Sequence, residues 1–185
     1  MYEEEEQHFF KSVAAGIRDL LITLTVVFLM VTYVAQLTNV SGQSMYPTLN
    51  DHDWLVIEKV SMRITPLERF DVVVFPYANN AKVHYIKRII GLPGETVDIR
   101  DGKIYVDGQE LQDPFAYEPI YGEDSFTTSF PVTVGEGEYF VMGDNRNNSS
   151  DSRYADVGLI SRQKIIGKAL IRVFPLTHIE LIDHS

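Results

Sequence analysis

Thr96-Val97-Asp98-Ile99-Arg100-Asp101-Gly102-Lys103-Ile104-Tyr105-Val106 reads as a β-hairpin. Two short alternating runs flank Asp-Gly, a dipeptide that accepts the positive φ angles a tight hairpin turn requires. Asp107-Gly108 repeats the turn signal directly after the second run. Upstream, Trp54–Glu58, Asp71–Phe75 and Val83–Ile90 are β-branched runs bounded by turn residues, among them Asn79-Asn80 and Gly91-Leu92-Pro93-Gly94. Downstream, Tyr139–Met142 and Lys164–Phe174 continue the pattern. No long helical periodicity follows residue 37. The spacing predicts an all-β domain of antiparallel sheets over residues 38–185. Residues 112–135 (QDPFAYEPIYGEDSFTTSFPVTVG) fit least well and read as an insertion, such as a flap or long hairpin.

The N-terminal part has a different character. Leu20–Leu37 (LLITLTVVFLMVTYVAQL) carries no charge, and Ala14–Ile17 extend it backwards. About 20 apolar residues span a bilayer core. A cleaved secretion signal would start with basic residues and end on small ones. Here the start is MYEEEEQ, and Tyr33 stands at minus-three from the most plausible cut. The reading is a tail over 1–13, an uncleaved transmembrane helix over 14–37 and an extracytoplasmic domain over 38–185. Lys11 and Arg18 precede the span and no Lys or Arg occurs from 38 to 58, which places the N-terminus in the cytoplasm.

A formal charge of −10 argues against nucleic-acid binding and against docking on anionic lipid. The absence of cysteine excludes thiol catalysis, cysteine metal sites and disulfides. There is no H-E-x-x-H, and the Asp144–Asp151 loop lacks the glycine and glutamate spacing of a calcium loop. Neither metal nor cofactor is expected.

Ser44 is the candidate nucleophile. It follows Leu37 by seven residues, which keeps it within roughly 25 Å of the bilayer edge. A serine hydroxyl needs a base. The G-x-S-x-G pattern fails at Tyr46 and S-x-x-K fails at Pro47. The histidines His8, His52, His84, His178 and His184 are one source of a base, and Lys87 is another. Strand alternation puts Tyr85, Lys87 and Ile89 on one face and Ile86, Arg88 and Ile90 on the other, so one cation should point inward. Burial lowers a lysine pKa by up to ~3–5 units. The strand alone also permits an edge position with Lys87 reaching water, and favours it.

Four blocks in order resemble the type I signal peptidases, membrane-bound Ser-Lys proteases: SGQSMYPTL (41–49), RFDVVVF (69–75), YIKRIIGLPGE (85–95) and MGDNRNNSSDSR (142–153), the last followed by GLI (158–160). The resemblance implies Ser44 as nucleophile, Lys87 as general base and Ser149 as the hydroxyl that orients the Lys87 amine. It makes Asp144, Arg146, Asp151 and Arg153 structural, tying the last block to Arg88. Some relatives carry a hydroxyl where Gly42 stands, so the oxyanion would rest on backbone N–H groups, those of Ser44 and Gly42. Val40, Met45, Leu49, Tyr85 and Ile86 would line the pockets. The implied partners are signal-peptide-bearing preproteins, cut after a small residue in an Ala-x-Ala-like site through an acyl-enzyme, by a monomer in contact with lipid in a bacterial cytoplasmic membrane. Two rival readings are a self-cleaving repressor, which would need a DNA-binding module in place of an anchor, and a non-catalytic β-domain that binds preproteins.

Overall fold

The computed structural model describes residues 2–77 and 80–184. Asn79, half of one turn signal, and Met1 lie outside them. The chain divides into two compact units, Met1–Gln36 and Leu37–Ser185.

The first unit is helix α1 (Tyr2–Tyr33), whose Lys11–Tyr33 portion has a mean hydropathy of 2.0 and is long and apolar enough to cross a membrane. Its polar side chains turn back on the helix: the hydroxyls of Thr23 and Thr25 donate to carbonyls four residues earlier, at 2.9 and 2.8 Å. The helix begins within the segment read as a tail. It ends before the apolar run does, because Ala35–Asn39 form strand β1. Hydrophobicity alone does not mark where a helix stops, and Ala35-Gln36-Leu37 satisfy either structure.

The second unit is built of β-sheets, as expected. β2 (Trp54–Glu58), β3 (Val72–Tyr77), β4 (Asn80–Gly91), β9 (Glu138–Met142), β10 (Ile160–Ser161), β11 (Gly167–Phe174) and β12 (Glu180–Leu181) join β1 in the larger sheet. Its order is β1-β2-β11-β3-β4-β9-β10, with β12 on β11. β5 (Thr96–Arg100), β6 (Lys103–Val106), β7 (Gln109–Glu110) and β8 (Val132–Thr133) form the smaller one, ordered β7-β6-β5-β8. From β2 onwards neighbouring strands pair antiparallel. The hairpin expected over Thr96–Val106 is present: Arg100 faces Lys103 across Asp101 (φ 53°) and Gly102 (φ 75°). Asp107-Gly108 makes the next turn the same way, with φ of 50° and 78°. The run read from Lys164 starts as a strand only at Gly167, since Arg162–Lys164 form a 3-10 turn.

β4 decides where the site goes. It lies between β3 and β9, in the interior of the sheet rather than at an edge. Its adjacent cations Lys87 and Arg88 are therefore both buried, at 4% and 0% exposure, where the alternation pattern expected only one to be. Three apolar clusters cover the sheets. Val40, Met45, Leu49 and Ile86 belong to the first, and Val73, Phe75, Ile89 and Val141 to the second. The third joins Ile90, Phe140 and Met142 of the larger sheet to Val97, Ile99 and Ile104 of the smaller.

Residues 112–135 make an irregular excursion with one 3-10 turn (Glu123–Ser125) that ends in β8. Ile120 is buried in the third cluster, and Phe126, Phe130 and Val132 pack against it. The segment is seated on the domain by its aromatic and branched residues. Phe140 anchors this cluster, so Phe140→Ala is expected to cost about 3–5 kcal/mol through lost burial and the cavity left behind. Urea denaturation of the full chain in detergent would measure it.

Candidate active site

Residues 41–49 form the turn-rich loop between β1 and β2. Met45 and Leu49, both buried in the first cluster, pin its far side. The Tyr46 amide donates to the Gln43 carbonyl (3.1 Å) and the Leu49 amide to the Met45 carbonyl (2.8 Å), which closes the loop on itself. Asp53 accepts the Asn50 amide at 2.8 Å and fixes its exit. With Met45 and Leu49 buried in the core, Ser44 just before them meets the neighbouring strand.

That strand is β4. Lys87 Nζ donates to Ser44 Oγ at 2.8 Å and to the Ile86 carbonyl at 3.0 Å. Among the described residues no carboxylate forms an ion pair with this amine. Burial lowers its pKa to about 8, the Asp151 and Asp144 carboxylates pull it back up, and the Arg153 guanidinium pushes it down. Folding thus disfavours the ammonium form. The cost to stability is full below about pH 8 and fades as pH rises towards the ordinary value of 10.5.

Arg88, one residue on, is treated oppositely. Its Nε and Nη2 donate to the two Asp144 carboxylate oxygens at 2.9 and 2.8 Å, and both side chains are fully buried. Nη1 donates to the carbonyls of Phe70 (2.9 Å) and Asp183 (2.8 Å). Thr48 Oγ1 donates to Asp144 at 2.6 Å, bringing the serine loop into the same network. A second buried pair stands beside it, with Arg153 Nε and Nη2 both 2.8 Å from Asp151. Asp151 also accepts the Gly143 amide at 3.0 Å, and Arg153 donates to the Arg146 carbonyl at 2.6 Å. Arg146 is not a solvated loop residue: it is buried, donates to the Gly143 carbonyl at 2.9 Å and pairs with Asp113.

Three expected site residues do not make the contacts the resemblance implies. Ser149 Oγ is buried without a hydrogen-bond partner among the described residues, and the Lys87 amine goes to Ser44 and Ile86 instead. The Gly42 amide is committed to Asp51 Oδ1 at 2.9 Å, at a residue whose φ is 92°. It is not free to hold an oxyanion, whereas the Ser44 amide has no acceptor among the described residues. Leu49 lies fully in the core and is not among the residues that line the cleft at Ser44.

A cleft of about 260 Å³ borders Ser44 and Lys87, lined by Val40, Gly42, Met45, Tyr85, Ile86 and residues around them. Tyr85 is braced by stacking on Tyr77 at 4.8 Å between ring centres. Sequence reasoning missed four contributors. Gly143 is required by space, since a Cβ there would sit 2.3 Å from the Ser44 carbonyl oxygen and 2.4 Å from Ser149 Oγ. Asn145 bonds the serine loop. Phe115 and Tyr117, from the excursion, stack on Arg88 (3.6 Å) and edge-on to Tyr46 (4.9 Å). Gly143 and Asn145 lie inside the MGDN block; nothing in the sequence marks the two aromatics.

The family model described as "Signal peptidase, peptidase S26" matches residues 13–174. The chain belongs to the signal peptidase S26 family. A signal peptidase I of Bacillus licheniformis is 34% identical over 99% of this chain and 100% of its own length. A probable signal peptidase I-2 of Synechocystis is 41% identical over 82% of this chain and 68% of that protein. A solved signal peptidase I of Enterococcus faecalis is 34% identical over 56% of this chain and 97% of its own, with a TM-score of 0.47. The chain is therefore a peptidase.

In this signal peptidase the Arg88–Asp144 pair ties β4 to the loop after β9. Removing one partner of a buried pair strands the other charge, at a cost of ~3–5 kcal/mol. Asp144→Asn is expected to destabilise by that amount in urea titration. The double variant Arg88→Met, Asp144→Leu should recover part of the loss.

Proposed function

We propose that the chain is a membrane-anchored serine endopeptidase that removes signal peptides from exported preproteins by a Ser44–Lys87 dyad. The observation that supports this most is the 2.8 Å approach of a buried lysine amine to Ser44 Oγ. With its pKa lowered to about 8, the amine is neutral in about one-tenth of molecules at pH 7, enough to act as a general base.

The neutral amine takes the Ser44 proton as Oγ attacks the scissile carbonyl. The new C–O bond drives the carbonyl electrons onto oxygen, where the Ser44 amide stabilises the oxyanion. Lys87 then passes its proton to the leaving nitrogen as the C–N bond breaks. Water, losing a proton to the same amine, attacks the ester, and Ser44 departs with its proton restored. No metal or cofactor enters these steps. Ser149, a buried hydroxyl with an unused hydrogen bond, is suited to receive the Lys87 N–H and steady the amine through the cycle; leaving such a group unpaired costs ~1–3 kcal/mol.

An extended substrate segment fits beside the Tyr85-Ile86 part of β4, which lies beyond the stretch paired with β9, main chain to main chain. A cleft of about 260 Å³ with walls from Val40, Met45, Tyr85 and Ile86 admits small side chains before the cut, which favours Ala-x-Ala-like sites. Lys11 and Arg18 before the apolar stretch favour a cytoplasmic N-terminus, with residues 38–185 outside the membrane. One chain supplies both members of the dyad, so a monomer suffices.

Cleavage of a model preprotein in detergent tests this. Wild type is expected to make a single cut after a small residue, and Ser44→Ala and Lys87→Arg to lose it by a thousandfold or more, on the order of other serine-enzyme knockouts. Because the neutral amine is the active form, kcat/KM should climb about tenfold per pH unit below the midpoint and level off above about 8. Full activity in Lys87→Arg, or a rise that continues to the ordinary lysine range, would move the base elsewhere.

A further inference from the structure

We propose that Asn145 is a positioning residue that aims the Ser44 amide at the oxyanion. The inference rests on the Ser44–Lys87 reading and extends it to the group that receives the developing charge.

One peptide plane, between Gln43 and Ser44, sets the direction of this amide. The Gln43 carbonyl and the Ser44 amide belong to the same peptide, and in a trans peptide they point in opposite directions. The Gln43 oxygen is held on its side by two donors, Asn145 Nδ2 at 3.1 Å and the Tyr46 amide at 3.1 Å. The next carbonyl, that of Ser44, accepts the Asn145 amide at 3.1 Å. Asn145 thus grips two successive carbonyls of the serine loop, one with its side chain and one with its backbone. With Gln43 O drawn to Asn145, the Ser44 N–H leaves the opposite edge of the plane, where Gly42, Gln43 and Ser44 line the cleft. It meets no acceptor among the described residues. The Gly42 amide is taken by Asp51, so the loop depends on this donor.

Asn145 can serve as a fixed reference because its neighbours are immobilised. Asp144 before it is locked to buried Arg88, and Arg146 after it is bonded to the Gly143 carbonyl and paired with Asp113. Gly143 lets this segment approach the Ser44 carbonyl closer than any side chain would allow. The Asn148 amide closes the turn on the Asn145 carbonyl at 3.0 Å. Two buried ion pairs therefore set the orientation of an amide that neither touches.

Asn145→Leu and Asn145→Ala remove the Nδ2 donor and keep the backbone amide. Both are neutral, so neither adds a charge near Lys87, and whichever variant stays folded serves. The expected result is a fall in kcat of about 10- to 100-fold, less than the 10²–10³ that follows complete loss of an oxyanion donor. KM should stay within about twofold and the pH midpoint near that of wild type, since ground-state contacts and the amine are untouched. A peptide boronate, whose oxygen occupies the oxyanion position after bonding to Ser44, should lose affinity by a similar factor, while an uncleavable peptide binds as before. Wild-type kcat, a change confined to KM, or a displaced pH midpoint would each overturn the inference. If instead Ser44→Ala proves active, the dyad reading has failed; inactive Ser44→Ala with wild-type kcat in the Asn145 variants rejects only the role of Asn145.

Discussion

Two adjacent cations on β4 are buried, and among the described residues only one of them has a carboxylate in contact. Everything around the site follows from that asymmetry. Arg88 stays charged, so it demands Asp144 at bonding distance and draws in Thr48, Phe70, Asp183 and the ring of Phe115. Those contacts bring together the serine loop, the loop after β9, the chain's final residues and the 112–135 excursion. Lys87, facing the other way, finds a hydroxyl and a carbonyl in place of a counter-ion. Its charge is consequently disfavoured, which brings the amine closer to neutrality near physiological pH than an ordinary lysine. A single strand thus supplies a structural cation and the amine proposed as the base by turning successive side chains to opposite faces.

The arrangement has a thermodynamic cost and a kinetic use. A lysine held with a pKa near 8 lowers stability at neutral pH, because the unfolded chain binds the proton more readily. The buried pairs around Arg88 and Arg153 offset little of this by themselves, since desolvation consumes much of their Coulombic attraction. Their contribution is geometric: they fix Gly143 and Asn145 against the Ser44 and Gln43 carbonyls and hold the amide of Ser44 towards the cleft. Rigid donors aimed before the reaction begins avoid reorganisation during it.

Much of this was legible in the residues. Asp101-Gly102 and Asp107-Gly108 announce their turns because positive φ has a recognisable chemistry, and β2, β5 and β6 fall where their apolar alternation puts them. Ser44 and Lys87 were legible as candidates, and the four blocks brought them together. What the sequence withheld depends on distant neighbours. That β4 is interior, and so buries Lys87 and Arg88 alike, is set by its pairing with the distant β9 on the side opposite neighbouring β3. Nothing local distinguishes Leu49 in the core from Met45 at the cleft. The Gly42 amide is lost to Asp51 through a backbone angle no composition reveals. The excursion looked loose because its aromatics follow no strand or helix period, yet Ile120 and Phe115 seat it against residues that only the fold brings near.

The most direct test is a titration of the Lys87 amine itself, by NMR of side-chain-labelled lysine in the full chain in detergent, assigned with Lys87→Met. A midpoint near 8 is the result this account requires. A midpoint at the ordinary lysine value of about 10.4 would contradict it, because Lys87 would then remain an ammonium wherever the enzyme works.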